Sequence, residues 1–175
     1  LPTPYLLHQA NNVDRTNMPA KKPSMLSSIP FIRIAITGGE CTGKTALARA
    51  LGAYYGVPHT VEGSRKYVDE VGLSLGLAVV DLSAKAQIEI ENTLIQEKPE
   101  AMILDTDLFS TVIYANFYYG HCPTWILDAA KERKADLYLL CGIDLPWIPD
   151  GLQRDRGAPD ERADIHQAFQ EQLYQ

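Results

Sequence analysis

The eight residues Gly38-Gly39-Glu40-Cys41-Thr42-Gly43-Lys44-Thr45 constrain this chain more than any other feature. They match the pattern G-x-x-x-x-G-K-[ST], and their surroundings matter as much as the match. Phe31-Ile32-Arg33-Ile34-Ala35-Ile36-Thr37, just upstream, is a short β-rich run that reads as a buried strand of a parallel sheet. Downstream, Thr45 to Tyr55 places Leu47, Ala50, Leu51 and Tyr54 at helical spacing, with Gly56 and Pro58 as stop signals. Strand, glycine loop and helix in that order open a βαβ unit. Glycines let successive N–H groups turn inward around an anion, Lys44 supplies a point charge for the β- and γ-phosphates, and Thr45 puts a hydroxyl where Mg²⁺ sits. The helix start adds partial positive charge. Residues 38–45 are therefore expected to hold ATP with Mg²⁺. Cys41 is read as a small residue suited to the loop rather than a redox thiol.

Helix and strand signals alternate along the rest of the chain. Val57 to Glu62 reads as a second strand, and a helical region starts at Lys66, is broken near Gly72 to Gly76 and continues through Ser83 to Gln96. Ala101 to Asp105 is a third strand, Phe109 to Tyr119 and Ile126 to Lys134 are helices, and Ala135 to Cys141 is a fourth strand. Asp160 to Gln175 is helical and stops without the strand and helix that would close such a sheet, so the C-terminus reads as truncated. The expected fold is α/β, a three-layer P-loop NTPase sandwich with a parallel sheet, of the kinase-like kind. Residues 1–29 lack periodicity and read as a linker, extension or tag remnant, leaving 30–175 as the kinase domain.

Composition narrows the function by exclusion. With 16 basic and 22 acidic residues in 175, the net charge of −6 gives no footprint for nucleic acid or an anionic membrane. No apolar run reaches membrane-spanning length, and the three cysteines have no zinc-ligand spacing, which together point to the cytoplasm. The partner expected is a small molecule; the oligomeric state is left open.

Several charged residues fall where ligands gather in α/β sheets, at the carboxyl ends of strands. Asp105-Thr106-Asp107 ends the third strand; Asp105 is assigned to the metal and Asp107 to substrate, to supporting the groups that touch it, or, as an alternative to Glu62, to deprotonating the acceptor hydroxyl, the competing reading being a helix N-cap by Asp107 or Thr106. Glu62, at the end of the second strand, is a candidate to accept the proton of a substrate hydroxyl, and Arg65 to hold substrate. The turn from Pro146 to Gly157 brings closely spaced arginines and reads as a lid. Arg154 is assigned to catalysis and Arg156 to the nucleotide, with Arg162 a third candidate. Tyr114, Phe117, Tyr118 and Tyr119 read mostly as core.

Taken together, GGECTGKT, Glu62-Gly63-Ser64-Arg65-Lys66-Tyr67-Val68, Asp105-Thr106-Asp107 and the Trp147 to Gly157 turn resemble the ribosylnicotinamide kinase domain of NadR-type proteins in order and spacing. The resemblance covers roughly Ile32 to Gln175 and implies ATP-dependent phosphorylation of nicotinamide riboside to nicotinamide mononucleotide. It places Glu62, Arg65 and Asp107 near the nucleoside. The chain departs from that family at Val61, where members can carry a tryptophan that stacks on the nicotinamide ring, and in the turn before Arg154, which is one residue longer. A switch-type NTPase and a catalytically silent regulatory module stay open as alternatives; no Asn-Lys-x-Asp base reader is found.

Overall fold

The computed structural model describes residues 31–61, 77–147 and 161–173. Strand β1 (Ile32–Thr37) is the centre of the sheet, as its apolar composition requires. It pairs in parallel with β2 (Ala101–Asp105) on one side and β3 (Leu137–Leu140) on the other, in the order β2-β1-β3. The register aligns Ile36 with Asp105 and Thr37 with Leu140, so all three strands end at the same edge. Among the described residues, the expected second strand is represented by one parallel bridge between His59 and Ile103. Two backbone hydrogen bonds support it, from Thr60 N to Ile103 O and from Ile103 N to Pro58 O.

The period of two along the strands decides which helix packs where. Ile36 and Ile103 face helix α1 (Lys44–Tyr55), meeting Ala48 and Leu51. Ala35, Met102 and Leu104 face the other way, against Leu94 and Ile95 of helix α2 (Leu77–Gln96). The same face carries α3 (Leu108–Tyr119), α4 (Thr124–Glu132) and α5 (Glu161–Leu173). Here Ile113, Ile165 and Phe169 enclose Leu140, and Leu108, Val112, Ile126, Ala130 and Ala84 join α2, α3 and α4. Burying these side chains supplies the main stabilisation of the three layers.

Tyr114 stacks on Tyr118 and meets Phe169 edge-on, which is the packing role expected of the aromatic stretch. No described helix is long and apolar enough to cross a membrane.

Candidate functional site

At the end of β1 the backbone turns at Gly38, whose φ is +130°. A Cβ there would stand 3.0 Å from the Cys141 carbonyl oxygen, so close approach of two backbones as well as the left-handed turn excludes a side chain. Cys41 (φ +53°) and Gly43 (φ +82°) complete the loop before α1 starts at Lys44. The helix opens without a side-chain cap or an acidic residue in its first turn, so its positive end is left for an anion. Lys44 Nζ and Thr42 Oγ1 both donate to the Gly39 carbonyl, at 2.6 and 2.8 Å. The ammonium is thereby folded over the loop.

Asp105 follows Ile103 in the strand alternation and falls on the α1 face, the face of the phosphate loop. Its residue is 1 % exposed, and its backbone N–H is held by Thr60 Oγ1 at 2.9 Å. Lys44 and Asp105 both act on Cys141 at the end of β3: burial raises its thiol pKa, Lys44 lowers it and Asp105 raises it. Ammonium and carboxylate therefore share one electrostatic neighbourhood. Among the described residues no cluster of three or more His, Cys, Asp and Glu could cage a metal. Hard oxygens from Asp105 and Thr45 beside a triphosphate loop fit Mg²⁺, which binds through one or two protein oxygens and the nucleotide phosphates.

Asp107 takes the role given by the competing reading, a helix N-cap. Thr106, at φ +74°, breaks the alternation, so Asp107 turns to the α3 face. There it caps α3, its Oδ1 accepting from Ser110 N and Ser110 Oγ at 3.1 Å each. Its Oδ2 accepts from Tyr138 OH at 3.0 Å. Burial pushes the Asp107 carboxyl up, with the Ser110 and Tyr138 hydrogen bonds opposing. Burial and then the Asp107 charge push the Tyr138 phenol up in turn. Both carboxylate oxygens of Asp107 thus accept hydrogen bonds from within the protein.

Glu62, Arg65, Arg154 and Arg156 lie outside the described residues. Arg162, the third arginine candidate, is brought to the loop: both terminal nitrogens donate to Leu145 O at 3.1 Å. The Leu145 side chain in turn packs on Gly43, where a Cβ would stand 3.1 Å from Leu145 Cδ1. Arg162 also lines a crevice with Glu40, Tyr118, Trp147, Glu161 and Ile165. Sequence reasoning missed Thr37, Ser110, Tyr138 and Cys141, none of which carries a motif.

The profile of a family described as AAA domain matches residues 33–175. The chain belongs to this P-loop family. It is homologous to the trifunctional NAD biosynthesis/regulator protein NadR of Escherichia coli strain K12, at 27% identity over 150 residues. That match covers 82% of this chain and 36% of the relative. The corresponding protein of Salmonella typhimurium is 26% identical over 140 residues, covering 76% of this chain and 34% of the relative. The chain thus spans about a third of the length of these curated relatives.

Among solved structures, a NadR protein in complex with NR superimposes with a TM-score of 0.61 at 21% identity, covering 82% of this chain and 40% of that one. Thymidylate kinase from Ehrlichia chaffeensis gives 0.53 at 16% identity, covering 81% and 80%. These likenesses establish the P-loop kinase fold for this AAA-domain chain, as its sequence led one to expect.

Proposed function

We propose that the chain is an ATP-dependent kinase acting on a small nucleoside-like acceptor, and that the acceptor is nicotinamide riboside, giving nicotinamide mononucleotide. The observation that carries the kinase reading is that Lys44, folded over the phosphate loop, and the buried Asp105 carboxylate both act on Cys141 at the same sheet edge. The acceptor reading rests on the relationship to NadR proteins, one of which was solved in complex with NR.

In this reading the loop N–H groups and Lys44 hold the β- and γ-phosphates, while Thr45 and Asp105 hold Mg²⁺. The metal, when bound, neutralises charge on the phosphate oxygens. Glu62 orients the acceptor hydroxyl and takes its proton, Arg65 holds the acceptor, and Arg154 with Arg156 meets the charge on the transferring group. Arg162 belongs with these arginines, since it already stands beside the loop. Positioning does most of the work, because phosphoryl transfer asks for little covalent chemistry from the protein.

The test is mass-spectrometric detection of phosphorylated product from Mg-ATP with nicotinamide riboside, ordinary nucleosides or no acceptor. Lys44→Ala is the control. Product from nicotinamide riboside that vanishes in the control supports the proposal; product from another nucleoside alone moves the acceptor. ADP formation with no phosphorylated acceptor rejects the kinase reading for this panel and favours an NTPase.

A further inference from the structure

We propose that Asp107 is a positioning residue for the phosphate loop, acting through Ser110 and Thr37 on the peptide from which the loop departs. The proposal rests on the reading of residues 38–45 as a nucleotide site and is independent of which acceptor is used.

Thr37 is the last residue of β1, and its side chain lies on the α3 face, where Thr37 Oγ1 and Ser110 Oγ are 2.8 Å apart. Either hydroxyl can donate in that pair taken alone. The carboxylate settles the direction: it accepts only, so the single Ser110 hydroxyl proton goes to Asp107 Oδ1 at 3.1 Å, and Thr37 must donate to Ser110. On the other side Asp107 is anchored by Tyr138 OH, which itself accepts from Ala135 N at 3.1 Å. A directed chain therefore runs from the strand end through α3 to β3.

The main chain of Thr37 is held as well. Its carbonyl accepts from Cys141 N at 2.8 Å, and the next residue, Gly38, has its α-carbon against the Cys141 carbonyl. With its side chain tied to α3 and its carbonyl tied to β3, the Thr37–Gly38 peptide plane is fixed from two directions. The loop N–H groups take their orientation from that plane. Thr37, Ser110 and Asp107 are 1, 0 and 4 % exposed, so water cannot replace a lost partner and each bond is strengthened by its low-dielectric setting.

A helix cap alone explains only the bond from Ser110 N to Asp107. It needs neither the Thr37 hydroxyl nor the Tyr138 phenol, and valine would serve the strand as well as threonine. Of these surplus groups the Thr37 hydroxyl stands at the base of the loop, and the Tyr138 phenol anchors the carboxylate at the far end of the chain.

The experiment uses the whole chain and reads affinity for Mg-ADP and a non-hydrolysable ATP analogue by calorimetry, beside thermal melting and the acceptor KM. Thr37→Val, nearly isosteric, is expected to weaken nucleotide binding about threefold to tenfold. Thr37→Ser, which keeps the hydroxyl, is expected to restore it. Ser110→Ala is expected to give a similar loss, and the double variant Thr37→Val with Ser110→Ala no more than either alone, because both cut one chain.

Nucleotide affinity unchanged in Thr37→Val, with only the melting temperature lowered, would overturn the proposal in favour of simple packing. A raised acceptor KM in Asp107→Asn with unchanged nucleotide affinity would overturn it in favour of acceptor contact. A wild-type chain that binds no nucleotide overturns the phosphate-loop reading and this proposal together. One that binds nucleotide but phosphorylates nothing overturns only the kinase reading.

Discussion

Two carboxylates separated by a single residue, Asp105 and Asp107, lie on opposite faces of the same sheet edge and in opposite surroundings. On the α1 face Asp105 sits with the phosphate loop and Lys44, a collection of charges and backbone dipoles that a nucleotide would complete. On the α3 face Asp107 is closed off by Ser110 and Tyr138. Both are almost fully buried, so burial does not distinguish a ligand-binding acid from a structural one. The partners do. Asp105 shares its surroundings with Lys44 and the phosphate loop, whereas Asp107 accepts from Ser110 and Tyr138.

Substitutions can break this contrast or sharpen it. The largest effect is expected from Asp105→Asn: turnover should fall on the order of a hundredfold, because the carboxylate proposed for Mg²⁺ is neutralised, while the near-isosteric side chain keeps the melting temperature close to wild type. Steady-state kinetics and thermal melting read the two halves, and a destabilised but active variant would erase the distinction. Asp107→Ala should show the reverse, losing about 2 kcal/mol of stability. For a domain of this size that is roughly 4–8 °C in Tm. Turnover at saturating nucleotide should change little.

Val61→Trp probes the acceptor side, where the present side chain is 61 % exposed. Restoring an aromatic there should lower the KM for nicotinamide riboside about fivefold, the effect of a modest base–aromatic stack. The smallest effect concerns Glu91, which lies behind the closed face. Gln87 donates to both Glu91 and the Thr106 carbonyl, and Arg133 pairs with Glu91 at 3.1 Å. Burial raises the Glu91 pKa above 4.5. Its contribution to stability is thus fully present below that ordinary value and is lost as pH rises through the raised folded one. The stability of wild type relative to Glu91→Gln should fall by about 1 kcal/mol across that window in denaturant titrations.

Much of the fold was legible because it is written in periodicity. Ile34 and Ile36 alternate with Ala35 as a two-faced central strand must, and the glycine pattern announces the loop after it. Within the described part of Val57–Glu62 only His59 bridges β2, because ladder length depends on how far a neighbouring strand follows, which a single segment does not encode. Asp107 was legible as a helix N-cap only as the competing reading, for a sharper reason. A strand-like reading keeps residues 105 and 107 on one face, and only the left-handed Thr106 separates them. Threonine is β-branched and costly at positive φ, so no local propensity signals that turn. Arg162 was underrated because its approach to the loop depends on how α5 packs, through Ile165 and Phe169, against α3.

The lone rung at His59 has a consequence for how such a chain changes over generations. β1 is bonded along both its edges, so a substitution near the nucleotide disturbs the whole sheet. The segment leading to Val61 hangs on β2 by two main-chain hydrogen bonds and the Thr60 hydroxyl, and its next side chain is exposed. Selection can rewrite that margin at small cost to the scaffold, so on the proposed reading a lineage keeps its phosphate donor while trying new acceptors.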